Sequence, residues 1–480
     1  EIDGYKVEKI RYGAFKGRND ITTVVVPDSV VEIESNSFFE CRSLSSVKLS
    51  SNLKTLSYGA FYNCDKLTSI IIPKSLEKAT GTTSAISGDG PFSECDNLKN
   101  ITFEAGTTRI AEHLFGNCKG LERIEIPDTV QSIGYEAFYK CGSLTDVKIG
   151  SGVTEIAYAA FEYCDKLAEI VIPNSVVEIG TNSFYECKSL SSVKLSSNLK
   201  TLSYGAFYNC DKLTSIIIPK SLEKATGTTS AISGDGPFSE CDNLKNITFE
   251  AGTTRIAEHL FGNCKGLEKI EIPDTVQSIG YEAFYKCGSL TDVKIGSEVT
   301  KIGDGAFEDC GKLAEIIIPK KVKSLGKYCF ESCSSLKEID ISQTGITAIE
   351  KSTFAECSGL KNIKFPTALS EFEEEAFYKC TSLESIELPA DTIRIGVSAF
   401  RESGLKNIVI PENVTQIRYY AFQNTPLETV TFKDSAAEIW IGAFENCDKL
   451  TTVNFGKNIR TIGNQAFYDC DELASITIPD

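Results

Sequence analysis

The residues in this sequence most able to do chemistry are its cysteines, which number 18 in a chain of 480 residues. A cysteine thiolate can act as a nucleophile, bind zinc or form a disulfide. Most of these cysteines recur 23 positions apart, as at Cys118, Cys141 and Cys164, and none forms the Cys-x-x-Cys pair that is typical of a zinc site. We therefore expect them to be buried packing residues, with a metal or redox role and occasional disulfides as the alternatives.

Other catalytic residue types are scarce in the chain. Its only histidines, His113 and His259, occupy the same place in two copies of the segment IAEHLF, and we expect both to be surface residues. The sequence lacks a Gly-x-Ser-x-Gly elbow, a phosphate-binding glycine loop and a His-Glu-x-x-His zinc motif. It therefore predicts no catalytic residue, no cofactor and no metal site, and hence a protein that is not an enzyme.

The charge balance excludes further classes of function. Aspartate and glutamate outnumber lysine and arginine by 66 to 49, which gives a formal net charge of -17. So acidic a chain repels a phosphate backbone, and we expect no nucleic-acid partner. No apolar run reaches the ~18 residues of a membrane span, so we expect no membrane insertion in this segment.

The cysteines are positioned by a 23-residue repeat with regularly spaced apolar residues. One copy reads LERIEIPDTVQSIGYEAFYKC from Leu121 to Cys141. The alternation around Ile124 and Ile126 predicts a strand, which Pro127 ends because proline has no N–H. The Val-x-x-Ile-Gly segment predicts a second short extended stretch, and the Ala-Phe-x-x-Cys segment predicts a tight helical turn.

A single copy is too short to bury its own apolar face, so successive copies must stack on one another. The pattern therefore predicts a repeat solenoid, mainly β with short helical turns. We expect a curved rod of about 20 coils with a parallel sheet on its concave face. Cysteines in neighbouring coils would lie ~4.8 Å apart, which disfavours disulfides along the stack.

Two motifs, Leu-x-x-Ile-x-Ile-Pro and Ile-Gly-x-x-Ala-Phe-x-x-Cys, recur along nearly the whole chain. They resemble the 23-residue unit of the BspA-like (Treponema-type) leucine-rich repeat family. The resemblance implies a leucine-rich repeat fold. It also implies a role at a microbial cell surface, because the family is associated with adhesion to host proteins and cells, although such an inference about function is one of analogy.

The repeats include a large internal duplication. Residues 42–151 match residues 188–297 except at Arg42/Lys188 and Arg123/Lys269. We interpret the chain as one solenoid over 1–480, in which a six-coil block at 23–168 is duplicated as 169–314 and diverged coils fill 315–480. The copy either doubles a binding surface or reflects neutral recombination.

Three regions are candidates for ligand binding. The first is the charged part of the row that the strands present on the concave face, which is either a protein-binding surface or a solvated sheet face. The second is the inserted segment GTTSAISGDGP, present twice, which either contacts a ligand or is a tolerated insertion. The third is Trp440, which we expect to project outward. The candidate residues are Lys48, Glu125, Lys148, Lys194, Glu271, Lys294, Asp340, Lys364 and Glu387 in the row, Ser87, Asp89, Ser233 and Asp235 in the insertions, and Trp440.

These observations favour a non-enzymatic binding protein that is secreted or held at the cell surface. Its expected partner is an extracellular protein or a host-cell surface, which would make it an adhesin for host or neighbouring-cell proteins. The alternative is a structural spacer that displays other domains away from the cell envelope. The given chain does not begin with a signal segment, and we expect that such a segment has been removed on export. The sequence leaves the oligomeric state open.

Overall fold

The chain folds into a β-solenoid of about nineteen turns that carries parallel strands and, among the described residues, no helix. The computed structural model describes residues 6–81, 89–227 and 235–478. It divides into two units, the first comprising Glu1–Thr228 and Asp235–Glu250, and the second comprising Thr229–Gly234 and Ala251–Asp480. The predicted solenoid with parallel sheets is confirmed.

The first unit alternates strands of three or four residues with strands of two. Its strands are β1 (Lys9–Ile10), β2 (Thr23–Val25), β3 (Glu32–Ile33), β4 (Ser46–Lys48), β5 (Thr55–Leu56), β6 (Ser69–Ile72), β7 (Lys78–Ala79), β8 (Asn100–Phe103), β9 (Arg109–Ile110), β10 (Arg123–Glu125), β11 (Ser132–Ile133), β12 (Asp146–Lys148), β13 (Glu155–Ile156), β14 (Glu169–Val171), β15 (Glu178–Ile179), β16 (Ser192–Lys194), β17 (Thr201–Leu202), β18 (Ser215–Ile218), β19 (Lys224–Ala225) and β20 (Asn246–Phe249). Longer strands pair with longer ones and two-residue strands with two-residue ones, always in parallel.

The second unit repeats this arrangement with less regular lengths. Its strands are β21 (Arg255–Ile256), β22 (Lys269–Glu271), β23 (Ser278–Ile279), β24 (Asp292–Lys294), β25 (Lys301–Ile302), β26 (Ser324–Leu325), β27 (Glu338–Asp340), β28 (Ala348–Ile349), β29 (Asn362–Lys364), β30 (Glu371–Phe372), β31 (Arg394–Ile395), β32 (Asn407–Ile410), β33 (Gln416–Ile417), β34 (Thr429–Phe432), β35 (Glu438–Ile439), β36 (Thr452–Asn454) and β37 (Thr461–Ile462).

Each longer strand forms where the sequence alternates apolar and polar residues. In β10, Ile124 is buried while Arg123 and Glu125 are exposed, as expected for side chains that alternate across a sheet. Its residues lie opposite those 23 positions later, so Glu125 pairs in register with Lys148. Because that register repeats, the same position of every coil falls in one row across the paired strands.

The Ala-Phe-x-x-Cys segment differs from the predicted helical turn and is a run of tight turns. Glu136 and Lys140 have φ angles of 49° and 54°, which an α-helix does not contain. Along this segment, backbone N–H groups donate alternately to an oxygen of the same coil and to an oxygen of the next coil. The Cys141 N–H donates to the Phe138 oxygen of its own coil at 3.2 Å, and the Phe138 N–H donates to Ala160 of the next coil at 2.8 Å. These bonds between coils hold the left-handed residues in place.

The core contains a continuous stack of phenylalanine rings in each unit. Phe138 is fully buried, and its ring centroid lies 5.6 Å from that of Phe115 and 5.0 Å from that of Phe161. These spacings are close to the ~4.8 Å between paired strands, so the rings repeat with the coils. The stacked rings are Phe15, Phe38, Phe61, Phe92, Phe115, Phe138, Phe161, Phe184, Phe207 and Phe238 in the first unit.

Candidate functional site

The repeated cysteines are buried and act as hydrogen-bond donors within the core. None of the eighteen is joined in a disulfide, and all but Cys470 are buried. The Cys187 thiol donates to the backbone oxygen of Phe161 in the preceding coil, with an Sγ to O distance of 3.3 Å. That oxygen also accepts the Cys164 N–H at 3.3 Å. The predicted packing role is confirmed, and the sequence did not reveal that the thiol also satisfies a buried carbonyl.

Burial also removes the reactivity that these thiols could have. Desolvation raises the pKa of Cys95 to about 12 and also raises that of Cys164 well above its ordinary value, so the nucleophilic thiolate is disfavoured. Half-buried Cys470 differs, because a hydrogen bond from Cys447 lowers its pKa. Within the described part of the chain, no three His, Cys, Asp or Glu residues are grouped so as to hold a metal ion.

The two histidines are more enclosed than the sequence analysis predicted. The side chains of His113 and His259 are each 13% exposed, with Nδ1 of His113 lying 3.2 Å from the Glu136 carboxylate. The His113 ring also packs edge-on against Tyr135, at a centroid distance of 4.9 Å. The expectation of surface histidines was therefore wrong, because the tyrosine and glutamate of the next coil cover the imidazole.

Trp440 is less exposed than the sequence analysis predicted. Its ring is half-buried, with the Tyr419 ring packed edge-on at 4.8 Å and the Arg418 guanidinium 5.3 Å from its centroid. Both neighbours come from the preceding coil. These two side chains therefore cover part of the ring.

The inserted segments are described only at their ends. Ser87 and Ser233 lie outside the described residues. Asp89 is half-buried and accepts a hydrogen bond from Asn117 Nδ2 at 2.8 Å, and its burial raises its pKa. Asp235 is likewise half-buried. The two aspartates therefore lie against the body of the coil rather than at a protruding tip.

The nine charged residues predicted for the strand row are all exposed. They lie on what we term the strand face, the exposed side of the three- and four-residue strands and of the equivalent segments near 317 and 387. Its members, in order along the first unit, are Val25, Lys48, Ile71, Thr102, Glu125, Lys148, Val171, Lys194, Ile217 and Thr248. In the second unit the predicted residues Glu271, Lys294, Asp340, Lys364 and Glu387 are placed in the same way.

Several charges on the strand face pair with one another. Lys148 bonds to Glu125, which raises the pKa of the lysine. Lys294 bonds to Glu271 in the same way, and Lys364 Nζ lies 3.5 Å from the Asp340 carboxylate. A partner that used these lysines would first have to break an existing pair.

Two lysines on the strand face differ from this pattern, because neither Lys48 nor Lys194 has a carboxylate within ion-pair distance among the described residues. Each is flanked by exposed aliphatic residues, Val25 and Ile71 in one case and Val171 and Ile217 in the other. We name these sets the first Val-Lys-Ile patch (Val25, Lys48 and Ile71) and the second Val-Lys-Ile patch (Val171, Lys194 and Ile217). Their aliphatic side chains are 67%, 64%, 57% and 63% exposed, in that order.

The repeats match a known protein family along the chain. The model of the BspA type leucine-rich repeat region matches overlapping segments, which are residues 8–84, 85–177, 108–233, 154–287, 231–346, 278–403, 324–440 and 370–480. The chain belongs to the BspA-type leucine-rich repeat family. Proteins of this family and fold are typically non-enzymatic binding scaffolds and bacterial surface-type proteins.

Solved structures of several bacterial leucine-rich repeat proteins are similar to this BspA-type chain. One from Bacteroides ovatus is 23% identical, covers 98% of this chain and 82% of its own, and has a TM-score of 0.36. A leucine-rich cell surface protein from Faecalibacterium prausnitzii is 28% identical, covers 65% of this chain and 83% of its own, and also scores 0.36. The pneumococcal vaccine antigen PcpA is 19% identical, covers 80% of this chain and 88% of its own, and scores 0.38.

Two further observations complete the comparison of this BspA-type chain. No curated protein matches its sequence. In the ranges 6–81, 89–227 and 235–478, the structure has no helix of the length and apolar character that a membrane span requires.

Proposed function

We propose that this chain is a secreted or cell-surface adhesin that binds a host or neighbouring-cell protein through its strand face. Burying an exposed aliphatic side chain against a partner is favourable, by ~25 cal/mol for each Å² of apolar surface that is removed from water. The first Val-Lys-Ile patch places two such side chains beside an unpaired lysine, and the second patch repeats them. This exposed combination, present twice, is the observation that supports the proposal.

The patches fit a protein ligand better than a sugar or a nucleic acid. The strand-face row contains no aromatic ring on which a sugar could stack, and the net charge of -17 opposes a polyanionic backbone. Protein interfaces instead combine buried apolar contacts with a few charges that set specificity. Localisation at the cell surface rests on the family alone.

The proposal is tested by charge reversal at both patches. The purified chain is titrated against extracellular-matrix proteins and host cells, beside the variant Lys48→Glu/Lys194→Glu. We expect saturable binding by the unaltered chain and a loss of at least about tenfold in affinity for the variant, because a desolvated charge contact is worth a few kcal/mol.

A matched control separates the site from the overall charge. Lys66→Glu/Lys212→Glu changes net charge equally at two exposed, equivalent positions in the turns that precede β6 and β18. Binding by this control should equal that of the unaltered chain. Equal losses in both variants would contradict a role for the strand face.

A structural spacer is the second candidate, and the paired charges favour it. Contacts such as Lys148 with Glu125 neutralise much of the strand face from within, as expected for a surface that meets only water. The absence of saturable binding across the whole panel would support this function in place of the adhesin.

A further inference from the structure

The two Val-Lys-Ile patches have a geometry that restricts what can bind them. Their three side chains come from successive coils, with Val25 opposite Lys48 in the register of β2 and β4 and with β6 beside β4. Neighbouring strands lie ~4.8 Å apart, so the three side chains fall near 0, 4.8 and 9.6 Å along one line. A ligand must present complementary groups at this spacing.

An α-helix laid along the line matches this spacing. Residues at i, i+4 and i+7 share one face and rise ~6 and ~10.5 Å along the helix axis. In an extended peptide, side chains on one face recur every ~6.8 Å, which places the third about 4 Å beyond the end of the patch. The spacing of the patch therefore favours a helix over an added strand.

The charge of the patch specifies the middle position of the helix. Lys48 has aliphatic neighbours on both sides, so a carboxylate flanked by apolar groups complements it. Asp28 lies beyond ion-pair distance of this lysine, and its pKa is lowered chiefly by hydrogen bonds from Ser51. In the second patch the equivalent position is Asn174, so Lys194 has no counterpart of Asp28.

We propose that each Val-Lys-Ile patch binds an amphipathic helix of the partner protein, in which a carboxylate lies between two apolar side chains on successive turns. This inference rests on the proposed function and adds the form of the ligand. The described residues contain no helix, so a second copy of the described chain does not supply this element.

The duplication makes the interaction bivalent. Both patches lie within the first unit, and each residue of one lies 146 positions from its counterpart in the other. They are six coils apart, or ~29 Å at the usual strand spacing. A partner with two such helices gains an avidity of ~10²–10⁴-fold over one helix when its linker spans this distance.

The two patches differ in two neighbouring charges, because the first has Asp28 where the second has Asn174, and the second has Glu169 where the first has Thr23. Beside Val25, β2 presents Thr23, whereas beside Val171, β14 presents Glu169. The Glu169 carboxylate weakens the positive potential at Lys194. Asp28 acts on Lys48 in the same sense. We therefore expect Glu169→Thr to strengthen binding of an acidic helix at the second patch, and Asp28→Asn to strengthen it at the first.

The test uses the full chain and a synthetic, helix-stapled peptide of about 18 residues with Leu, Glu and Leu at positions i, i+4 and i+7. Fluorescence anisotropy measures its binding beside two control peptides, one with the glutamate moved to the opposite face and one broken by a central proline. We expect saturable binding of the first peptide alone. Lys48→Gln/Lys194→Gln should weaken it at least about tenfold, and a tandem peptide should bind ~10²-fold more tightly than the single one.

The outcomes separate this inference from the proposed function. Equal binding of the proline-broken peptide, or unchanged binding by Lys48→Gln/Lys194→Gln, overturns the helix proposal. If an extracellular protein binds through Lys48 and Lys194 while the stapled peptide fails, the helix proposal is wrong and the adhesin function stands. If neither binds, both are overturned.

Discussion

The strand face and the turn segments that contain the phenylalanine and cysteine of each coil differ in where their side chains find partners. We term these segments the turn side, exemplified by residues 134–141. There the Cys187 thiol bonds to a buried backbone oxygen and the Phe138 ring stacks between two others. On the strand face, Lys48 and Lys194 have no ion-pair partner among the described residues, and their aliphatic neighbours face solvent.

The difference shows why one part of the repeat is constant and the other varies. A buried side chain packs directly against the same position of the next coil, so each phenylalanine ring needs another phenylalanine ring in the neighbouring coil. An exposed row has no such constraint, and its composition changes from Val to Lys to Ile within three coils. Positions that keep the same residue in successive coils are therefore packing positions. Positions whose residue varies between coils are those at which a partner can be recognised.

The largest expected effect on stability follows from breaking the phenylalanine stack. Phe138→Ala leaves a cavity between two rings in a fully buried position and should cost ~3–5 kcal/mol of unfolding free energy locally. Thermal unfolding monitored by limited proteolysis near this coil measures the loss. The matched change Ile71→Ala, at a side chain that is 64% exposed, should cost less than ~0.5 kcal/mol. Similar losses for the two would contradict the contrast between the sides.

A smaller effect is expected at the cysteine row. Cys187→Ala removes a thiol donor from the Phe161 carbonyl, which keeps its bond from the Cys164 N–H, and should lower stability by ~0.5–1.5 kcal/mol. Cys187→Ser retains a donor and should be the milder change in the same unfolding assay. If serine is as damaging as alanine, the thiol acts through apolar packing alone.

The buried carboxyl groups of the turn side predict an unusual dependence of stability on pH. Burial, followed by repulsion from Glu136 and Glu186, raises the pKa of Glu162 to about 8. Burial with nearby Glu331 raises that of Glu308 likewise to about 8. The unfolded value is ~4.3, so the folded chain binds more protons between the two values and these groups make stability fall as pH rises from ~5 to ~8.

The variant Glu162→Gln isolates this effect. It should raise the melting temperature near pH ~8.5, where the wild-type carboxylate is charged, and change it little near pH ~5, where both side chains are neutral. Exposed Glu125→Gln on the strand face serves as the control and should be nearly neutral at both pH values. A melting temperature lowered equally at both pH values would exclude the predicted titration of Glu162.

The smallest expected effect is at the paired charges of the strand face. Lys148→Gln removes an exposed ion pair with Glu125, and such pairs contribute little because water solvates both groups. We expect no measurable change in melting temperature and no loss of partner binding. Loss of binding would mean that the paired residues, rather than the Val-Lys-Ile patches, form the site.

Much of the fold was predictable because it depends on local patterns. The alternation around Ile124 placed β10, and the repeat length placed its partner β12 at the correct register. The turn conformation was missed, although Asn36, Gly59 and Asn117 occupy its left-handed positions. Asparagine and glycine adopt that region more readily than other residues do, and they were the available signal.

The side-chain partners were harder to predict because they depend on contacts between coils. Nothing near Trp440 in the sequence specifies that Tyr419 and Arg418 from the preceding coil will cover its ring. The first Val-Lys-Ile patch was only partly predictable. Counting back 23 positions from Lys48 gives Val25, whereas the absence of a carboxylate beside Lys48 required the packed structure.

The most direct test of the central claim is chemical footprinting of lysines in the bound and free chain. The protein is acetylated briefly with an amine-specific reagent, with and without a saturating extracellular partner, and each site is quantified by mass spectrometry. Our account predicts that the partner protects Lys48 and Lys194 and leaves Lys66 and Lys212 unchanged, since only the first pair lies on the strand face. Protection of Lys66 and Lys212 with continued labelling of Lys48 and Lys194 would contradict it.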